Sequence, residues 1–160
     1  MKVSGFTFIR NAIKYDFPVV ESIKSILPLC DDFYVALGQS EDQTLELIGS
    51  IDPRIKIQET IWDDSIHEGG KVLALETDKA QKMIPDDTDW CFYLQGDEVL
   101  HEKYLDPITD AMKKWKDDPE VDGLLFKYLH FFGSYDYITT STAWYRKEIR
   151  VIRNDPSIYS

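Results

Sequence analysis

Apolar positions along this chain follow two rhythms in turn, short runs that read as strands and spacings of three and four that read as helices. Residues 3–9 are a first apolar strand. Val19, Val20, Ile23, Ile26 and Leu27 then recur at helical spacing, with Asp16 placed to cap, Pro18 tolerated in the first turn and Pro28 marking the end. Residues 33–37 predict a second strand closed by Gly38, and Ser40, Glu41, Asp42 and Gln43 open a short helix through Ile48. Ile55, Lys56 and Ile57 alternate as a third strand, and Gly69 and Gly70 precede a helix over 71–83. After a loop at 85–87, residues 90–94 are apolar without a break, as in a strand buried on both faces. Leu105, Ile108, Met112 and Trp115 make the stripe of another amphipathic helix. A strand rich in Leu, Phe and Tyr is predicted over 123–132, and a weakly alternating last one over 144–153.

Strands separated by helices predict βαβ units, and so an α/β domain with a mostly parallel sheet flanked by helices. Such sheets bind ligands beyond the carboxyl ends of their strands. That rule selects Arg10 and Asn11, residues 38–42, the loop before Lys71, and residues 95–98. Their convergence on one sheet edge predicts a small-molecule site.

Composition narrows the options. The length of 160 residues suits one domain, and 43% hydrophobic residues supply a core that a disordered chain lacks. A net charge of -11 without a Lys/Arg cluster argues against nucleic acid as a partner. An acidic protein that handles phosphates needs a cation or backbone N–H groups near them. Cys30 and Cys91 form no C-x-x-C pair, so neither a zinc site nor a disulfide framework is expected. The chain shows no signal-peptide core and no membrane-length span, which predicts a cytoplasmic protein. His67, His101 and His130 lack metal spacing. Glu68, Gly69, Gly70 and Lys71 could present N–H groups and a lysine to an anion, but Val72 after Lys71 breaks the Walker A pattern. The run Thr139, Thr140, Ser141, Thr142 has no nucleophile elbow, so a hydrolase triad is unsupported. Tyr128, Tyr135, Tyr137, Trp144 and Tyr145 crowd the last third, as packing or as a wall for a sugar ring.

The chemistry centres on Gln95, Gly96, Asp97 and Glu98. A buried strand brings two carboxylates and an amide oxygen to the ligand edge, hard donors suited to Mg²⁺ or Mn²⁺ held largely by substrate phosphates. Gly96 lets a ligand approach the backbone. Solvated charges at a strand end are the plain alternative. Ser40 and Gln43 match a capping box. Asp42 either stabilises that helix start or accepts a ring N–H from a base. Arg10 can fork onto phosphate or pair with a surface acid.

The order of residues 8–11 (Phe-Ile-Arg-Asn), then Gly38-x-Ser40-x-Asp42-x-Thr44, then 90–98, resembles the family 2 glycosyltransferases of GT-A fold. The closing segment from Trp144 to Arg153 is similar to that family's arginine-containing strand. The resemblance implies a three-layer, Rossmann-like domain that binds a nucleotide-diphospho-sugar donor and transfers its sugar, with inversion, to a saccharide or other hydroxyl acceptor. It implies that Arg10 and Asn11 line the nucleotide pocket, that Asp42 contacts the base, and that Lys71 faces the donor. Gln95 and Asp97 then sit at the sugar-diphosphate, with Asp97 holding the divalent metal. Gln95 stands where the family has an aspartate, one charge fewer at the metal, and Ala12 stands where it has a glutamate. The family's acceptor-binding segment and catalytic base lie beyond the last strand, so the chain is expected to be the donor-binding part of a longer protein. Peripheral membrane association would come through such further segments. A sugar-phosphate nucleotidyltransferase shares the core but needs a glycine-rich loop after the first strand, where this chain has none. A non-catalytic nucleotide-sugar-binding domain is the remaining alternative.

Overall fold

The structure is a computed structural model that describes residues 1–66, 70–141 and 144–160. His67, Glu68 and Gly69 of the loop before Lys71, and Thr142 of the Thr/Ser run, lie outside the described residues. In chain order the elements are β1 (Val3–Ile9), α1 (Val19–Ile26), β2 (Asp32–Gly38), α2 (Thr44–Gly49), β3 (Ile55–Thr60) and α3 (Lys71–Gln81). Then follow β4 (Trp90–Tyr93), α4 (Leu105–Trp115), β5 (Gly123–Lys127), β6 (Phe131–Phe132), β7 (Ser134–Ile138) and β8 (Lys147–Arg153).

Six strands form one sheet in the order β3-β2-β1-β4-β8-β5. β3, β2, β1 and β4 pair in parallel, and β8 runs antiparallel to both β4 and β5. The sheet is therefore mostly parallel, as the alternating pattern predicts. Period-two alternation divides its side chains between two cores. On one face Phe33, Val35, Trp90 and Phe92 pack with Ile23 and Ile26 of α1, Ile48 of α2, and Ile108 and Met112 of α4. On the other, Phe6, Tyr34, Ala36 and Cys91 meet Ala80 of α3 and Ile84 just after it. Both faces of β4 are covered, which is why residues 90–94 lack polar positions. Burial of Trp90 and Phe92, each fully enclosed, stabilises the sheet by roughly 2–3 kcal/mol apiece. The Trp90 indole N–H reaches the carbonyl of Met112 at 3.1 Å, so its polar atom is satisfied. Cys30 and Cys91 are free and buried, and burial pushes both thiols up to about 12. Among the described residues no helix is long and apolar enough to cross a membrane.

Three local readings change. Asp16 does not cap α1: it lies in a left-handed turn at φ 54°, and α1 begins at Val19 behind Pro18 without a side-chain cap. The Ser40–Gln43 capping box does not form, because Ser40 Oγ is drawn across to β1, accepting from the Asn11 N–H at 3.0 Å and donating to the Gly38 carbonyl at 2.9 Å. The apolar run over 123–132 breaks after Lys127, since Phe131 and Phe132 leave the main sheet and pair with β7 in a separate hairpin turned at Gly133, φ 73°.

Candidate functional site

Chain order along the sheet reverses between β1 and β4: β1 leads outward to β2 and β3, and the chain then crosses back to place β4 on the other side. Neighbouring strands whose connections depart in opposite directions leave a crevice at their carboxyl ends. A cleft of about 520 Å³ lies there. Its walls are Phe8, Ile9, Arg10 and Asn11 from the end of β1, Gln95, Gly96 and Asp97 from the end of β4, and Trp62 and Asp64 beyond β3. Lys14, Tyr15 and Phe17 close it from the segment before α1, with Glu41 and Leu73 at its border.

Of the six residues that the sequence points to, four line this cleft: Arg10, Asn11, Gln95 and Asp97. Asp42 and Lys71 are not among its lining residues. Lys71 opens α3 with an exposed side chain. Asp42 stitches two loops together: Oδ2 accepts the Lys14 N–H at 2.7 Å, and Oδ1 accepts the Thr44 N–H at 3.0 Å and the Thr44 hydroxyl. Burial works to raise the Asp42 pKa, and the hydrogen bonds from Thr44, Lys14 and Ile13 outweigh it and hold the carboxyl low. Asn11 does similar work. It is buried at φ 52°, and its side-chain oxygen accepts the Glu41 N–H at 2.7 Å. Asparagine tolerates this left-handed backbone better than most residues.

Arg10 extends along the cleft. Its guanidinium grips Asp64 through Nη1 at 2.6 Å and Nη2 at 3.2 Å and lies 5.3 Å from the ring centre of Trp62. Trp62 meets Phe8 edge-on at 5.7 Å and covers Gly38, whose missing side chain makes room for the indole. Among the described residues the buried indole Nε1 has no hydrogen-bond partner. Lys14 pairs with Glu41 at 2.6 Å. Both ion pairs are largely exposed on their acidic side, so an anionic ligand can replace those carboxylates at little cost.

Behind the strand end, Glu98 and Arg150 form a buried fork, Nε–Oε2 2.9 Å and Nη2–Oε1 2.7 Å. The guanidinium sits 5.2 Å from the ring centres of both Tyr93 and Tyr128. Burial opposes its charge, but the Glu98 carboxylate more than compensates, and the Arg150 pKa is raised. The Gln95 N–H donates to Glu98 Oε2 at 3.2 Å, and Ser22 of α1 donates to the Gln95 carbonyl at 2.8 Å. Glu98 is thus consumed in holding the loop, while Asp97 stays exposed at the cleft. Enclosure by protein on its flanks and the neighbouring Glu98 charge raise the Asp97 pKa. Among the described residues no group of three or more His, Cys, Asp and Glu side chains is placed to hold a metal ion. The local donors, Asp97 and Gln95, suit a hard cation carried in by phosphates rather than a cage made wholly of protein. His101 and His130 serve locally, accepting the Lys103 N–H and bonding the Tyr145 carbonyl.

Sequence reasoning passed over Trp62, Asp64, Lys14 and Tyr15. Trp62 carried no alternation signal, since the apolar positions of β3 are Ile55 and Ile57 and Trp62 falls out of their phase. Asp64 carried none, because its partner is 54 positions away.

No protein-family profile and no curated protein matches this chain. Solved structures do. A crystal structure of S. aureus TarS 1-349, a glycosyltransferase, aligns at 19% identity over 71% of this chain and 33% of that one, with a TM-score of 0.50. The same protein in complex with UDP-GlcNAc aligns at 18% identity over 71% and 32%, with a TM-score of 0.47. This chain spans about a third of the length of these structures. The fold is GT-A-like: a mixed α/β domain with a six-stranded central sheet flanked by helices.

Proposed function

We propose that this chain binds a nucleotide-diphospho-sugar in the cleft between β1 and β4, and that it serves a glycosyltransferase of the family 2 type. One juxtaposition carries the reading. Two cations, Arg10 and Lys14, and the aromatic side chains of Trp62 and Tyr15 face the strand-end carboxylate Asp97 across one crevice of a GT-A-like sheet. The rings offer apolar faces to a base or ribose. The guanidinium of Arg10 matches a diphosphate once Asp64 is displaced. Gln95 and Asp97 reach the sugar side, where Gly96 keeps the backbone approachable.

A divalent cation bound to the diphosphate would be held by Asp97, with Gln95 supplying a neutral oxygen, and would neutralise the leaving group. In the transfer, an acceptor hydroxyl oxygen bonds to the anomeric carbon as that carbon's bond to the diphosphate oxygen breaks. The bonding pair leaves on the nucleoside diphosphate and the hydroxyl proton passes to a general base. Direct displacement of this kind inverts the anomeric centre.

Calorimetry with UDP, GDP and ADP, with and without Mn²⁺ or Mg²⁺, tests the reading. At least one nucleotide should bind with a dissociation constant of about 1 μM to 1 mM, the usual range for enzyme substrates. Asp97→Ala should abolish any strengthening by metal. Absence of binding by every nucleotide, metal present or not, would refute the proposal; an undiminished metal effect in the variant would move the cation elsewhere.

A further inference from the structure

The sheet edge that bears the cleft continues past Asp97 to β8 and β5. There the chain leaves β5 through Tyr128 and His130 and enters β8 from Trp144 and Tyr145. The four rings make one cluster. Tyr128 stacks on His130 at 5.7 Å and meets Tyr145 edge-on at 5.3 Å, while His130 lies 4.9 Å from Tyr145 and 5.6 Å from Trp144. The cluster is fixed to the strand-end loop, because the Tyr145 hydroxyl donates to Glu98 Oε1 at 3.3 Å and Tyr128 covers Arg150. Yet it is not core. Trp144 is 50% exposed and Tyr145 42%. Rings braced from behind and wet in front can offer an apolar face to a ligand.

We propose that this ring cluster is a saccharide subsite, which seats a neutral pyranose of the acceptor beside Asp97. The inference rests on the donor reading above for its meaning, though not for its geometry. A pyranose has an apolar C–H face that matches an exposed aromatic plane and hydroxyls around its rim that stay hydrated or bond to polar neighbours. The charge of the site selects a neutral ring. The Glu98 charge is balanced by Arg150, but Asp97 lies near enough to act on the Tyr145 hydroxyl and the chain carries a net charge of -11, so a phosphorylated or carboxylated acceptor would be repelled. Continuity with the cleft favours this occupant over a second protein chain. The surface begins one residue from the carboxylate that faces the donor, where an incoming hydroxyl must arrive.

The test follows the indole N–H resonances of the four tryptophans by NMR, with Trp144 assigned through Trp144→Phe. Maltohexaose, cellohexaose and chitohexaose are titrated in turn, with glucose 6-phosphate as the charged comparison. At least one neutral series should move the Trp144 signal at millimolar concentration, and glucose 6-phosphate should not. Trp144→Ala should weaken that saccharide about tenfold, equivalent to about 1.4 kcal/mol, and leave nucleotide binding unchanged. Tyr145→Phe keeps the ring and should keep the binding, a check on variants that disturb folding. A Trp144 signal unmoved by all three saccharides, while a nucleotide still perturbs the cleft, would overturn this inference and spare the donor reading. Saccharide binding without nucleotide binding would do the reverse. A Trp144 signal that moves with protein concentration instead would give the surface to a second copy of the chain and overturn the proposal.

Discussion

Arg150 and Glu98 are joined by two hydrogen bonds, 2.9 and 2.7 Å, with both side chains more than nine-tenths buried. Glu98 adjoins Asp97 in the chain, and its second oxygen also accepts the Gln95 N–H. The pair therefore sets the shape of the loop that carries the cleft's carboxylate. Removing one partner strands the other charge in the interior, at a cost of about 3–5 kcal/mol. Glu98→Gln and Arg150→Met should each lose about that much in urea denaturation, and the double variant should recover a good part of it. Arg150→Lys should not rescue, because an ammonium has neither the fork nor the flat face that Tyr93 and Tyr128 enclose. Additive losses in the double variant would show that the two side chains act independently.

Gly38 is held to glycine by Trp62. A Cβ at that position would stand 2.4 Å from the indole Nε1 and 2.8 Å from Cδ1, both part of a rigid ring. Gly38→Ala must therefore push Trp62 off its seat beside Phe8 and away from Arg10. Stability should drop by about 1–3 kcal/mol, and nucleotide affinity should fall with it. Gly49→Ala is the matched control, since its nearest neighbour would be 3.9 Å away. Equal nucleotide affinity in both variants would remove Trp62 from the binding surface.

The apolar pattern and the strand-end rule made the scaffold legible. Uninterrupted 90–94 announced a strand covered on both faces, and Trp90 and Phe92 indeed face one core while Cys91 faces the other. What stayed hidden were the partners. Arg10 meets Asp64 across 54 positions, Glu98 meets Arg150 across 52, and Asp42 meets Lys14 across 28. No local window sees such pairs, so Ser40 of a Ser-x-x-Gln box looked like a cap when the fold uses its hydroxyl to tie the ends of β1 and β2 together. The run over 123–132 misled for a related reason. Apolar content alone does not distinguish Leu124 and Phe126, packed on the core, from Phe131 and Phe132, which stand exposed on the hairpin.

Asp64 occupies the guanidinium fork that a diphosphate would need. The pair is solvent-exposed on the aspartate side, and such screened pairs contribute little to stability. Asp64→Asn should thus leave folding nearly unchanged while tightening nucleotide diphosphate binding about threefold, a free-energy gain of about 0.6 kcal/mol. Arg10→Ala should weaken the same ligand. The decisive reading is the double variant: the benefit of Asp64→Asn should vanish once Arg10 is gone. A benefit that persists would mean that Asp64 merely repels the ligand from a distance.

Asp42 offers a prediction in pH. Burial acts to raise its pKa, and the hydrogen bonds from Thr44, Lys14 and Ile13 pull it below the ordinary value. A carboxyl held low in the folded state favours folding above the unfolded-state pKa, and that contribution is lost as pH falls through the folded one. Asp42→Asn should therefore cost about 0.5–1.5 kcal/mol at neutral pH, the net worth of a hydrogen bond lost at a largely solvated group. The gap to the unmodified chain should close as both are acidified through the carboxylate range. Urea denaturation across that range measures it. Because both Asp42 oxygens already accept hydrogen bonds and neither borders the cleft, the preference among UDP, GDP and ADP should be the same in the variant. A changed preference would make Asp42 a contact to the base, and a gap that stays constant with pH would show that its charge does nothing for the fold.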